Sequence, residues 1–317
     1  MEIAEQDHLV VATVEPDEVA RQVWKEAEEP VDIVRLAASD GLDEATLAEL
    51  GFVVRPRWIN WCAPVRESAE EFEAALPGTE RRNIRLGRRF VHDEGLRVGV
   101  RVGLTPEFLD EFLVVYDRQI EAMPRGKNFA RRWRERLLER APEHVSVCVY
   151  DGDTMMVGSI WWIRPEQSVL QMRFSAACAD ARMSRVMRVA YTEALGFARE
   201  NGLAHASLGN DPSLFGHVVQ PGLFTFKSRF GFVPVPSEAL DPNLAGEHAD
   251  RFLTLRALSD PALVVTWGRY RGARLSWPEV AQAPGHDLLV LSGAPEAALT
   301  GRFRPAGFRE TRLVQVG

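Results

Sequence analysis

Apolar positions along this chain switch between two periods. In LRVGVRV (96–102) they alternate and are bounded by glycine, which predicts a strand. Thr105-Pro106-Glu107 then supplies an N-cap, a proline at the first helical position and an acid in the first turn. Behind it Phe108, Leu109, Phe112, Leu113, Tyr116 and Ile120 recur at helical spacing. A second helix is predicted over 128–140, with Phe129, Trp133 and Leu137 on one face. VSVCVY (145–150) reads as a strand, Asp151-Gly152-Asp153 as a tight turn and TMMVGSIWWIR (154–164) as the returning strand. A turn at Pro165-Glu166-Gln167 leads into a third strand, SVLQMRFSAA (168–177).

The longest helix is predicted over 181–200, on a stripe of Met183, Val186, Met187, Ala190, Tyr191, Ala194, Leu195 and Ala198. Asn201-Gly202 closes it. LAHASLG (203–209) reads as a short buried strand and NDPSLFGHVVQPG (210–222) as a long loop. FTFKSRFGF (224–232) follows, a helix over 223–229 running into a strand at Phe232, and RFLTLRAL (251–258) reads as a final strand. A helix that connects two strands usually makes them parallel neighbours, so the sheet is predicted to be mixed. The ends echo this plan. Residues 31–61 and 286–316 each read strand, short helix, Gly-Phe, strand, and 203–235 repeats the theme. Linker cues in LPGTERR and LSDPA divide the chain into 1–78, 79–258 and 259–317.

Composition narrows the class. At 46% hydrophobic and 26% charged residues, the chain is ordinary for a globular protein. No apolar run approaches the roughly 18–20 residues of a membrane span. MEIAEQDHLV lacks the pattern of a signal peptide. Cys62, Cys148 and Cys178 are widely spaced, so neither a zinc site nor a disulfide framework is expected, and the expected location is cytoplasmic. A net charge of −7, with no helix-turn-helix pattern, argues against DNA as a partner. Basic residues nevertheless gather in RRNIRLGRRF (81–90) and PRGKNFARRWRERLLERA (124–141), either as phosphate-binding patches or as solvated helix faces.

Four motifs stand in order: RRNIRLGRRF, DGDTMMVGSIWW, ALGFARENGLAHASLGND and GLFTFKSRFGF. With the element order of 96–258, they resemble the GNAT superfamily of acyltransferases and, within it, the Fem-like branch. The resemblance implies an α/β fold, a GNAT-like mixed sheet flanked by helices, with the βαβ-like ends forming a second, degenerate GNAT-like lobe. It implies an enzyme that forms an amide bond by passing an activated acyl group to a small-molecule or peptide amine. No bound cofactor is implied; the co-substrate is acyl-CoA in most GNAT enzymes and aminoacyl-tRNA in many Fem-like ones. CoA users carry small residues at the start of the long helix, where backbone N–H groups approach a pyrophosphate. Here that stretch is Arg182-Met183-Ser184-Arg185-Val186-Met187, and no glycine occurs between Gly158 and Gly196. This departure favours aminoacyl-tRNA, its acceptor end meeting Arg85 and Arg89. It leaves open that Arg182 and Arg185 grip a CoA phosphate from their side chains. A catalytically silent binding protein of the same fold remains the alternative from outside enzymology.

Aminolysis needs a neutral amine, an aligned carbonyl and stabilisation of the developing oxyanion. In the strand before the long helix, Arg173 alternates with Met172 and Phe174 and faces either a cleft or solvent. Among proton acceptors, Asp180 reads as a helix N-cap, Tyr191 as core and His205 as a histidine inside an apolar strand. Asn210-Asp211 is placed just beyond a strand's C-terminal end, at the head of the long loop. Asp211 is therefore the preferred amine-orienting residue or general base, against a plain Asp-Pro turn starter. In the last motif Leu223, Phe226 and Phe230 are expected on one helix face, with Lys227 flanking it. In the Fem-like picture Lys227 meets an anion and Phe226 lines the ligand; otherwise Lys227 snorkels at a rim.

Overall fold

The periodicities resolve into sixteen strands and eleven α-helices among the residues described, which are 1–316 without 38–41, 124, 274–275, 278, 283–284 and 296–304, in a computed structural model. The chain opens with β1 (Glu2–Gln6), β2 (Leu9–Val14), α1 (Pro16–Arg21), β3 (Ile33–Leu36), α2 (Glu44–Glu49), β4 (Val53–Pro56) and β5 (Trp58–Pro64). Next come α3 (Ala69–Ala74), α4 (Gly78–Asp93), β6 (Arg97–Val102), α5 (Pro106–Glu121), α6 (Phe129–Arg132), α7 (Arg134–Glu139), β7 (His144–Asp151), β8 (Thr154–Arg164) and β9 (Val169–Ala177). The middle closes with α8 (Ala179–Met183), α9 (Val186–Glu200) and β10 (His205–Pro212). After it lie β11 (Leu214–Phe215), α10 (Pro221–Arg229), β12 (Val233–Pro236), β13 (Glu247–Phe252), β14 (Ala262–Thr266), α11 (Glu279–Gln282), β15 (Asp287–Ser292) and β16 (Thr311–Gln315). No helix among the described residues is long and apolar enough to cross a membrane.

Cα packing groups these elements into a central unit, Cys62–Gly209 with Arg229–Phe232, and a terminal unit, Met1–Trp61 with Asn210–Ser228 and Val233–Gly317.

In the central unit β6, β7, β8 and β9 form an antiparallel meander, and β10 joins β9 in parallel. The mixed sheet expected of a GNAT-like core is present. Thr105 caps α5 by accepting from the Phe108 amide at 3.2 Å, and Pro106 occupies the first turn. Phe108, Leu109, Phe112, Leu113 and Tyr116 bury against Cys148, Ile160 and Ala176 of the sheet. Parallel pairing of β9 with β10 covers only Val169–Gln171 against His205–Ser207. Beyond that, the Gln119 side chain meets β9: its amide donates to Ser175 O at 3.4 Å and accepts from Ala177 N at 3.0 Å.

Two predicted helices are broken. The segment 128–140 divides at Trp133 into α6 and α7. The long helix divides into α8 and α9, because Ser184 Oγ bonds back to Asp180 O at 2.7 Å and Arg185 turns left-handed at φ 69°. Cys178, not Asp180, caps α8. Helix α4 packs on α9 beside this break: a Cβ at Gly87 would stand 2.8 Å from Arg185 O, so glycine permits the approach. Gly202 ends the helical run at φ 66°, as expected from sequence.

In the terminal unit one sheet runs β1-β2-β3-β13-β4 and a second β11-β14-β15-β16. β3 and β4 are joined through α2 and both pair antiparallel with β13, which lies between them. β15 and β16 are direct parallel neighbours. The βαβ-like reading of the amino-terminal segment therefore holds, and the helix expected between β15 and β16 falls outside the described residues. The two sheets share a core of Leu9, Val11, Ile33, Leu214, Val264, Leu289 and Leu291. The final strand expected over 251–258 is instead β13, which ends at Phe252.

Candidate functional site

Asp211 does not head a loop. Strand β10 continues through Asn210 and Asp211 to Pro212. The turn-forming residues at 209–212 suggest an end to the strand, but Gly209, at φ 78°, takes the irregular geometry and the strand runs on. Asp211 is consequently a fixed, buried carboxylate, 6% exposed. Its Oδ2 accepts from Lys227 Nζ at 2.7 Å and from Trp61 Nε1 at 2.9 Å. Its Oδ1 makes no hydrogen bond among the described residues and is not sealed from solvent.

Lys227 comes from α10, and its position on that helix differs from the expected one. The buried positions are Phe224, Lys227 and Ser228, while Leu223 is 39% exposed and Phe226 is half-buried. Lys227 is 3% exposed, so it is no rim residue. The anion it faces is Asp211. The surrounding aromatic groups interlock edge to face: Trp61 with Phe224 at 5.3 Å, and Phe215 with Phe224 at 5.2 Å. Phe308 stacks on Phe224 at 5.6 Å. An ion pair in such surroundings is weakly screened and geometrically fixed.

Asn210 points a second polar group from β10. Its Oδ1 accepts from Asn60 Nδ2 at 2.7 Å and from Ser237 Oγ at 3.0 Å. The structure thus brings Asp211, Lys227 and Asn210 together in the terminal unit. It adds Trp61, Asn60 and Ser237, which sequence reasoning missed. Their signal is weak: Asn60-Trp61 sits inside an apolar strand, where only the rarity of a buried polar pair marks it.

The other sequence-derived residues lie in the central unit, in separate settings. Arg173 stands over the rings of Trp133, at 5.2 Å, and Trp162, at 5.7 Å, so it contacts aromatic faces. Arg140 and Arg164 also approach Trp162, and Arg173 and Arg140 add to burial in lowering the pKa of His144. Arg182 donates to Ala177 O at 2.8 Å and to Gln119 at 3.3 Å. Arg185 Nε donates to Asn83 at 2.9 Å, and Arg188 pairs with the buried Glu80 of α4. The arginines at the start of α9 therefore engage the protein itself. Arg85 and Arg89 are exposed on α4; with Arg82 they stand at i, i+3 and i+7 and share one face, opposite the buried Ile84 and Gly87. Tyr191 is core, as expected, with its hydroxyl 2.9 Å from Ser175 Oγ. His205 is half-buried, and burial lowers its pKa.

No protein-family model matches the chain, and no curated protein matches it. Solved structures are similar at low identity. FemX is 13% identical over 77% of this chain and 81% of its own, with a TM-score of 0.44. L-PGS from Bacillus licheniformis is 12% identical over 66% of this chain and 64% of its own, with a TM-score of 0.36. A GCN5-related N-acetyltransferase from Kribbella flavida is 14% identical over 63% of this chain and 46% of its own, with a TM-score of 0.29. At these identities and scores, no residue role passes from those proteins to this one.

Proposed function

We propose that the chain is an N-acyltransferase that moves an aminoacyl group from aminoacyl-tRNA to an amine, with Asp211 receiving the amine proton. The observation that carries this reading is the half-used carboxylate. Lys227 and Trp61 hold Oδ2, and Oδ1 is left to accept. A carboxylate locked at one oxygen orients an attacking amine through the other at little entropic cost. In the step proposed, the amine nitrogen bonds to the ester carbonyl carbon and the bond to the tRNA ribose oxygen breaks. One N–H proton passes to Asp211 and then to the departing oxygen, leaving the amide and a free ribose hydroxyl. Lys227 holds Asp211 in register, so its role is positioning.

The choice of donor rests on α9. A glycine-lined phosphate cradle is absent from the sequence there, and Arg185 and Arg188 are engaged by Asn83 and Glu80. The exposed Arg82, Arg85 and Arg89 offer a basic face of the kind that meets a phosphate backbone. A thermal-shift and filter-retention comparison of acetyl-CoA with a charged tRNA mixture at low salt tests the donor. The reading expects tRNA retention that falls steeply with salt, with a slope shallower by about 1 when Arg85→Ala or Arg89→Ala removes a phosphate's partner. Stabilisation by acetyl-CoA alone assigns the chain to acyl-CoA chemistry instead. One observation favours a second reading: the Lys227 charge is already met by Asp211, as it would be in a catalytically silent binding protein. Ligand retention without turnover on either donor supports that reading.

A further inference from the structure

At one end of the β14–β15 ladder a buried donor stands beside a buried acceptor, apart from the chemistry above. The last rung of that ladder pairs Thr266 with Asp287. Trp267 and His286 lie one position beyond it on the two chain segments, so their side chains project from the same face. Trp267 is 7% exposed and His286 is fully buried. Their ring centroids are 6.3 Å apart, with the planes tilted by 35°. Trp267 Nε1 and His286 Nε2 are both sealed from solvent, and neither has a hydrogen-bond partner among the described residues.

The roles of the two atoms are fixed by what surrounds them. His286 Nδ1 lies 2.7 Å from Thr266 O. A carbonyl oxygen only accepts, so Nδ1 carries the ring proton. Burial lowers the pKa to about 4, so the ring is neutral at neutral pH and Nε2 presents a lone pair. Trp267 Nε1 can only donate. The Val235 carbonyl of β12 also acts on the His286 ring, but a lone pair at Nε2 has no proton to give it. Nearby hydroxyl groups are committed elsewhere. Tyr270 packs edge-on against His286 at 4.8 Å and donates to Val280 O at 3.1 Å, while Thr266 Oγ1 donates to Asp287 O at 3.4 Å.

We infer that Trp267, His286 and Val235 hold one ordered water molecule. It accepts from Trp267 Nε1 and donates its two protons to His286 Nε2 and Val235 O. A single oxygen that both accepts and donates matches one donor and two acceptors, and about three hydrogen bonds are the usual complement of a buried water. The water ties β12 to the end of the β14–β15 ladder. The competing arrangement is a direct bond from Trp267 Nε1 to His286 Nε2, which satisfies both rings without it.

Two measurements on the full chain test this. A crystal structure that resolves ordered waters is expected to show one within roughly 2.7–3.2 Å of all three atoms. In solution, the Trp267 indole proton is expected to give a magnetisation-transfer peak to a long-lived water, and the His286 nitrogen shifts to report a proton on Nδ1 alone. Trp267→Phe assigns that indole signal among the eight tryptophans. His286→Phe removes an acceptor and is expected to abolish the water peak while the Trp267 indole signal persists. A folding defect would instead disturb indole signals throughout the chain. A direct bond between the rings, a proton on Nε2, no water peak in the parent chain, or an undiminished one in His286→Phe overturns the inference.

Discussion

Replacing Lys227 with methionine keeps the length of the stem and removes the charge. Its Nζ lies 2.7 Å from Asp211 Oδ2, and both side chains are below one-tenth exposed. At an effective dielectric of about 20, unit charges at that distance attract by roughly 6 kcal/mol. Desolvation of the lysine offsets part of this. Loss of one member of a buried pair is therefore expected to cost about 3–5 kcal/mol, because Asp211 stays behind without its cation. Trp61 still donates to the carboxylate and cannot neutralise it. A chain with two units need not unfold in one step, so the readout is local. Hydrogen exchange of peptides from β10 and α10 is expected to accelerate by at least about 100-fold in Lys227→Met. Adding Asp211→Asn removes the stranded charge and is expected to restore at least tenfold of that protection. If Lys227→Met changes exchange by less than tenfold, or the second substitution gives no recovery, the pair does not fix Asp211 and the positioning argument fails.

Other perturbations have equally definite outcomes. His286 is fully buried, and burial lowers its pKa from 6.5 to about 4. Between those values the unfolded chain binds the extra proton, so stability rises with pH; about 3 kcal/mol is present above pH 6.5 and lost as pH falls toward 4. His286→Phe should flatten that segment of a urea-midpoint profile. Burial acts to raise the Asp250 pKa, yet Arg55 and Arg35 outweigh it and hold the carboxyl near 2. Asp250→Asn leaves two arginines facing each other, and a loss of about 3–5 kcal/mol is expected in denaturant unfolding. Gly87→Ala pushes a methyl group to 2.8 Å from Arg185 O, and its cost of about 1–3 kcal/mol should appear as faster exchange across α4 and α9.

How much of this is legible in the sequence depends on distance along the chain. Periodicity locates β6, α5, β7, β8 and β9, because each element there is flanked by its own cap or turn: Thr105-Pro106 before α5, Gly152 between β7 and β8. It fails where a tertiary contact overrides a local signal. The stripe from Met183 to Ala198 runs unbroken in sequence, but Ser184 and Arg185 break the helix beside α4, and nothing in the stripe encodes α4. Gly209-Asn210-Asp211-Pro212 carries strong turn chemistry, yet the strand continues through it. Lys227 stands out by its apolar surroundings, and Asp211 by its neighbour Asn210. Their pairing spans sixteen residues and Trp61 lies 150 away, so no local pattern joins them.

The most direct test of the central claim is transfer itself. Purified chain would be incubated with tRNA charged with radiolabelled amino acids and a panel of amines, and base-stable label counted as amide. The account predicts base-stable product from charged tRNA, reduced at least about 100-fold in Asp211→Asn while tRNA retention is unchanged. Product formed equally well by Asp211→Asn, or formed only from acetyl-CoA, would contradict it.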